Sequence, residues 1–383
     1  MTLHQNLDDN GIYIGRIWRP DIGPSVVTLR DGQIIDITTK TAPTMRDVLE
    51  LPDPLAHVQN TTGVPVCALD ALDSACNPDA GANDLRLLAP ADLQAIKACG
   101  VTFARSMLER VIEERAGGDA ARADAIRTKV SGVIGDSLRD LVPGSPEAAR
   151  VKSVLQAENL WSQYLEVGIG PDAEVFTKAQ PMSAVGHGAA VGLHPSSSWN
   201  NPEPEIVLAC ASDGRILGAC LGNDVNLRDI EGRSALLLGK AKDNNASAAL
   251  GPFIRLFNDR FGLDDIRKAE LDMTIDGTDG FHLSGHSSMR EISRDPADLA
   301  AQTCGAHHQY PDGFMLYLGT MFAPVADRDA KGAGFTHHMG DRVTISAAGL
   351  GNLVNTVMCS TKAPHWAFGT AALMRNLAGR DLL

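Results

Sequence analysis

The chain has 383 residues, 44% hydrophobic and 21% charged, which is enough to bury a core and suits one large domain with a smaller one. Its formal charge is −13, from 34 basic and 47 acidic residues with no basic cluster, so nucleic acid and anionic lipid are excluded as natural partners. A small anionic substrate would need local positive charge, from a metal or from a few placed Lys and Arg residues.

The first 85 residues read as short strands and turns. "IYIGRIW" and "SVVTLRDGQIIDIT" are β-branched runs, the second broken by the hairpin signal Asp31-Gly32. From about Pro90 the period changes: Phe103, Met107, Leu108 and Val111 fall at helical spacing, and "EAARVKSVLQAENLW" continues the helical character. Gly117-Gly118 separates two helical pieces. A boundary near residue 155 divides an N-terminal domain (1–155) from a larger domain (156–383). In the latter, "EVFTKA", "EIVLACA", "RILGACLG", "FMLYLG" and "RVTISAAG" read as strands, while "GPFIRLFNDRFG" and "DPADLAAQTCGA" read as helical. Strands and helices do not alternate regularly, which argues for a mixed α+β architecture rather than a doubly wound sheet. The seven scattered cysteines lack CxxC or zinc-ligand spacing and read as core residues in a reducing compartment. With no signal-peptide pattern and no long apolar run, a cytoplasmic location is expected.

The informative segment is "NNPEPEIVLACASDGRILGACLGNDVNLRDIEG". Two apolar runs flank Asp213-Gly214, the signature of a two-residue hairpin turn. Such a turn pairs Ser212 with Arg215, sets Glu203 opposite Asp224, and leaves Glu205 two residues along the same face. Three converging carboxylates repel unless a cation offsets them, and an oxygen-only set suits Mg²⁺, Mn²⁺ or Ca²⁺ rather than zinc. The alternative is that "EPE" is a solvated strand end and Asp224 a turn residue.

Five blocks resemble the fumarylacetoacetate hydrolase superfamily, in family order over about residues 170–351: "EVFTKA", "PEPEIVLAC", "GNDVNLRDIEG", "LLGKAKDNNASAALGPFI" and "GDRVTISAAGLGNL". The resemblance implies a roll of mixed β-sheets beside a smaller N-terminal α/β domain, in homodimers or higher homo-oligomers, binding a 2-oxo acid on Mg²⁺, with Mn²⁺ as the alternative. It carries the metal ligands onto Glu203, Glu205 and Asp224, and further site positions onto Arg228, Lys240, Ser346 and Lys178. Asn226 stands for the usual small residue and Ala179 for a proline, and the closing loop lacks its T-P dipeptide.

Superfamily members that hydrolyse C–C bonds carry a His-x-x-Glu element before the "EVFTKA" strand. The corresponding stretch here, "AENLWSQYLEVGIGPDAEVF", holds Glu166 and Glu174 but no histidine. "LEVGIGPDAEVFTKAQPMSAVGHG", "SSSWNNPEPEIVL" and "SGHSSMREISRDP" resemble a different branch, the dehydratases of 2-keto-3-deoxy-pentonates. That branch implies removal of a C3 proton from the chelated oxo acid, loss of the C4 hydroxyl, and release of 2,5-dioxopentanoate. On this reading Glu166 is the acid/base and Lys240 partners the enolate or the leaving hydroxyl. Arg228 either holds the substrate carboxylate or pairs with Asp229 within its loop. Lys178, Ser346 and His286 are candidate substrate-binding residues; His286, like His187, has glycine neighbours that permit close approach to a ligand. Hydrolysis of acylpyruvates or 2,4-diketo acids is the competing activity, and non-catalytic binding of an oxo acid the competing class.

Overall fold

The computed structural model describes residues 2–117, 119, 122, 123, 141–157 and 161–383. Gly118, expected to help separate two helical pieces, lies outside them, as do residues 158–160 at the end of the second piece. In chain order the strands are β1 (Tyr13–Arg19), β2 (Gly23–Arg30), β3 (Gln33–Asp36), β4 (Val64–Ala68), β5 (Arg86–Leu88), β6 (Ala95–Gly100), β7 (Glu174–Ala179) and β8 (Ala190–Leu193). There follow β9 (Pro204–Cys210), β10 (Ile216–Asp224), β11 (Ala248–Leu256), β12 (Glu270–Asp276), β13 (His282–Ser288), β14 (Phe314–Tyr317), β15 (Arg342–Ala347) and β16 (Gly351–Cys359).

These strands form two mixed sheets, the α+β roll the sequence implies. The larger runs β4-β3-β2-β1-β11-β10-β9-β14-β6-β7, with β5 also on β1; the smaller runs β13-β12-β15-β16-β8. Strands from both sides of residue 155 share the larger sheet, because β1 pairs with β11 and β6 with β14. One core joins Ile206, Leu208 and Leu221 of the larger sheet to Met273, Ile275, Val343 and Ile345 of the smaller. On the opposite face, Val207, Ala209, Cys220 and Leu250 pack with Met45, Val48 and Leu49 of the helix Met45–Glu50. A strand buried on both faces has no polar side to show, which is why β9 reads as one apolar run.

The same physics misleads at "GPFIRLF", expected to be helical. Its first six residues belong to β11, buried along its whole length between β1 and β10, and without alternation a buried strand and a buried helix look alike. Pro252 is tolerated there where the ladder to β10 slips between Ala219 and Leu221. The first 85 residues hold helices as well as strands. Thr44 caps Met45–Glu50, and Asp53 followed by Pro54 starts Pro54–Asn60, both side chains accepting from the third residue on. Asp31 and Gly32 both take positive φ, 47° and 70°, as a tight hairpin turn between β2 and β3 requires.

The connection from β14 to β15 is pinned by Asp341. Arg328 forks onto its two carboxylate oxygens at 2.6 and 2.8 Å, and the His337 ring lies 2.9 Å away. Burial pushes the Asp341 carboxyl up, but His337 and Arg328 overcome this and hold it well below its ordinary value. A carboxylate whose pKa is depressed by folding adds stability above its unfolded pKa, and loses it as pH falls through the folded value. Asp341→Asn should therefore cost about 3 kcal/mol at pH 7, and the deficit should narrow below about pH 3.9. Urea unfolding at pH 7 and pH 3 checks this; equal deficits at both would refute it.

Candidate metal centre

The β9–β10 ladder sets Gly222 opposite Glu205 and Asn223 opposite Pro204, the pairing that a two-residue turn predicts. The turn itself is longer. Ala211 pairs with Arg215, leaving Ser212, Asp213 and Gly214 as a three-residue loop with Gly214 at φ 85°. Ile216 therefore faces Cys210, and an extra residue at Leu217 restores the register before Gly218 meets Ala209. The two departures cancel, and the carboxylates arrive where the simpler turn would have put them.

Beyond the ladder, the Asp224 N–H donates to the Glu203 carbonyl at 3.0 Å. Glu203, Glu205 and Asp224 are buried and offer oxygens that all lie within 4.8 Å of one another. Three cations compensate them. Lys242 Nζ donates to Glu203 at 2.5 Å and to Asp224 at 2.9 Å. Lys178 Nζ lies 2.8 Å from the other Asp224 oxygen and also donates to the carbonyls of Val225 and Lys242. Arg110, from the helix Ala104–Ala116, donates to Glu203 through Nη2 and reaches Glu231 through Nη1 at 2.8 Å. Glu205 instead accepts from the Gly319 N–H at 2.7 Å.

The electrostatic consequences differ within the triad. Burial pushes the Glu203 carboxyl up, but Lys242 and Arg110 prevail and hold it near 2. Glu205 goes the other way, driven well above the ordinary value by burial and by the charges of Asp224 and Glu203. Burial alone would lower Lys242, yet Asp224, Glu203 and Glu231 raise it. Burial does lower Lys178, against the pull of Asp224. The patch is thus short of positive charge at Glu205. Its all-carboxylate donor set fits a small hard divalent cation such as Mg²⁺ or Mn²⁺.

The other expected site residues divide. Lys178 is buried against Asp224. Lys240 is exposed on the helix Leu238–Lys242, and Lys242 takes the buried position instead, because residues two apart on a helix point roughly 200° apart. Arg228 is buried, donating to the Pro324 carbonyl at 3.1 Å with its guanidinium 5.4 Å from the Trp199 ring. Asp229 accepts from Ser197 Oγ at 2.7 Å and the Ser198 N–H at 2.9 Å. Glu166 lies on the helix Gln163–Ile169, its side chain 44% exposed and 2.5 Å from Lys152. His286 is 59% exposed on the outer face of the β12–β13 hairpin, between Asp272 and Glu270. Ser346 stands across β12 and β15 from Asp272. Glu166, His286 and Ser346 are absent from the walls of the space beside the triad.

That space is about 10 Å³ and is walled by Gly100, Glu174, Phe176, Arg110, Lys242 and Thr320, among others. Glu174 has the same parity on β7 as Phe176 and Lys178, a period-2 signal that sequence reasoning could have used. Its carboxylate crosses Gly100 of β6 so closely that a Cβ there would meet Oε2 at 2.0 Å. Burial raises the Glu174 carboxyl above its ordinary value. Larger hollows, of about 410 and 540 Å³, lie along Trp366 and Asn245, and none of the triad lines them.

Replacing Lys242 by Met leaves Glu203 and Asp224 short of a partner. The metal-free variant should lose about 3 kcal/mol, and Mg²⁺ should raise its melting temperature more than that of the unaltered protein. Thermal unfolding with and without Mg²⁺ decides; no shift in either protein would argue against a metal centre.

A profile described as fumarylacetoacetate (FAA) hydrolase C-terminal matches residues 166–358. The chain is 30% identical over 194 residues to a probable 2-keto-3-deoxyxylonate dehydratase of Haloferax volcanii, covering 51% of this chain and 63% of that protein. It is 31% identical over 189 residues to a 2-dehydro-3-deoxy-D-arabinonate dehydratase of Saccharolobus solfataricus, covering 48% and 58%. The match therefore spans less than two thirds of either curated relative. Among solved structures, 2-keto-3-deoxy-D-arabinonate dehydratase in its apo form superposes with a TM-score of 0.62 at 20% identity, covering 91% of this chain and 99% of the other. A form complexed with magnesium and 2,5-dioxopentanoate gives 0.61, also at 20% identity, covering 91% and 99%. At that identity the likeness is one of fold.

Proposed function

Because the chain belongs to the fumarylacetoacetate hydrolase C-terminal family, we propose that it is a Mg²⁺-dependent hydro-lyase that dehydrates a 2-keto-3-deoxy-pentonate to 2,5-dioxopentanoate. The observation that carries this reading is that Glu174 and Lys242 line one small space beside the carboxylate triad. The names of the two curated relatives support it, as does the magnesium and product in a structural neighbour. Held by Glu203, Glu205 and Asp224, Mg²⁺ would supply the Lewis acidity that makes the C3–H of a bound 2-oxo acid removable.

Two groups with opposite tendencies do the proton work. Burial disfavours the charged form of Glu174, which makes it more basic than an ordinary carboxylate and the candidate to accept the C3 proton. Lys242, kept protonated by Asp224, Glu203 and Glu231, serves as the donor toward the departing C4 hydroxyl. Loss of that proton and hydroxyl leaves an unsaturated oxo acid with a C5 alcohol, and proton shifts then convert C5 to the aldehyde. One water is lost and no redox partner is needed. Glu166 and Lys240 are replaced in these roles, since both face outward.

Incubation with Mg²⁺ and 2-keto-3-deoxy-D-xylonate or its arabinonate epimer, coupled to a semialdehyde dehydrogenase, should yield 2,5-dioxopentanoate, and EDTA should abolish the signal. Glu174→Gln should lower kcat by roughly 10²–10⁴-fold while keeping Mg²⁺ affinity. Activity should rise with pH as Glu174 loses its proton, on a limb displaced above the ordinary carboxylate range; that limb should be missing from Glu174→Gln. Cleavage of an acylpyruvate without any dehydration would overturn the proposal in favour of hydrolysis.

A further inference from the structure

The space beside the triad, about 10 Å³, has room for roughly one water and none for a five-carbon acid. Some wall must move before substrate enters. Gly100, Glu174 and Phe176 belong to β6 and β7, adjacent strands of the larger sheet. Lys178 is tied to Asp224 and to two carbonyls. Lys242 donates to Glu203 and Asp224, both candidate metal ligands, and moving it away would strand a buried charge. Arg110 is placed differently. It enters from a helix rather than the sheet, and besides Glu203 it meets Glu231, which stands outside the triad.

Building on the metal-centre reading, we propose that Arg110 is a substrate-binding residue held in reserve. In the metal-free site it spans Glu203 and Glu231; when a metal takes Glu203, it turns on Glu231 and receives the carboxylate of the incoming 2-oxo acid. Leaving Glu203 costs little, because the metal replaces Arg110 there while Glu231 keeps the guanidinium paired at 2.8 Å. A guanidinium offers several donors in a planar fork, so one edge can stay on Glu231 while another meets the substrate. Metal and oxo acid then bind in a set order, metal first, because the same cation guards the empty ligand and recognises the substrate.

Isothermal titration of the full chain with Mg²⁺, and of the Mg²⁺-loaded chain with pyruvate as the smallest 2-oxo acid, tests this without turnover. Arg110→Ala removes the competitor for Glu203, so Mg²⁺ should bind several-fold tighter while pyruvate binds the loaded protein about tenfold more weakly. Arg110→Lys keeps the charge but not the fork; its pyruvate affinity should also fall about tenfold, with unchanged thermal unfolding showing that it is folded. Wild-type pyruvate affinity in Arg110→Lys would overturn the proposal. So would weaker Mg²⁺ binding by Arg110→Ala, the result expected of a structural strut, or equal pyruvate binding by the unaltered protein in EDTA. Because pyruvate is not dehydrated, these outcomes stand whether or not the pentonate reaction is found; failure of the unaltered chain to bind Mg²⁺ would instead remove the metal centre on which the proposal rests.

Discussion

Three carboxylates buried within 4.8 Å of one another cannot all keep their charge in an apolar interior unless cations sit among them. The arrangement of this molecule around that patch follows from the requirement. Lysines come from a strand and a short helix, and an arginine from a longer helix, three parts of the chain far apart in sequence. Glu203 has a cation on each oxygen, whereas among the described residues Glu205 accepts only from the Gly319 N–H and the Thr320 hydroxyl, and burial with the neighbouring charges drives its carboxyl toward protonation. A divalent ion would correct the imbalance at the point where the protein itself does not.

The sheet makes such a concentration of charge affordable in structural terms. β9 and β10 lie in the middle of the larger sheet, packed on both faces, so the ends of the hairpin are held by the cores on its two sides. The chemistry lies past the apolar run, where strand gives way to loop and side chains from other elements can converge. Rigid placement matters because a ligand oxygen displaced by an ångström no longer shares a cation with its neighbours.

The convergence of the three carboxylates was legible in the sequence because an antiparallel hairpin is a local object whose facing pairs follow from the turn. Even so, the turn at Ser212–Gly214 is a residue longer than expected and the bulge at Leu217 compensates, a cancellation invisible in the residue pattern. Lys242 was missed by two positions, because the helical phase of a five-residue helix cannot be read from one motif. Glu174 was within reach of period-2 reasoning along β7. Arg110 and Thr320 were not, since their approach to Glu203 and its surroundings depends on long-range packing that no local spacing encodes. Glu166 looked inward by its apolar neighbours, yet its helix puts those neighbours in the core and turns the carboxylate toward Lys152. At β11 the two-sided burial that makes the sheet central also erased the alternation that would have identified it as a strand.

The pairing of β1 with β11 has a consequence for how the molecule is made. Tyr13 meets Arg255 and Ile14 meets Ile254, so the partner of the first strand is synthesised long after the strand itself. At ribosomal speeds of roughly 5–20 residues per second, one side of β1 waits on the order of tens of seconds for its neighbour. During that interval β2 and β5 can pair with it, and the hairpin around Asp31-Gly32 can form, but the middle of the larger sheet is open. An exposed edge of that kind invites pairing with another nascent chain, so the early segments depend on being shielded until the second half of the polypeptide emerges.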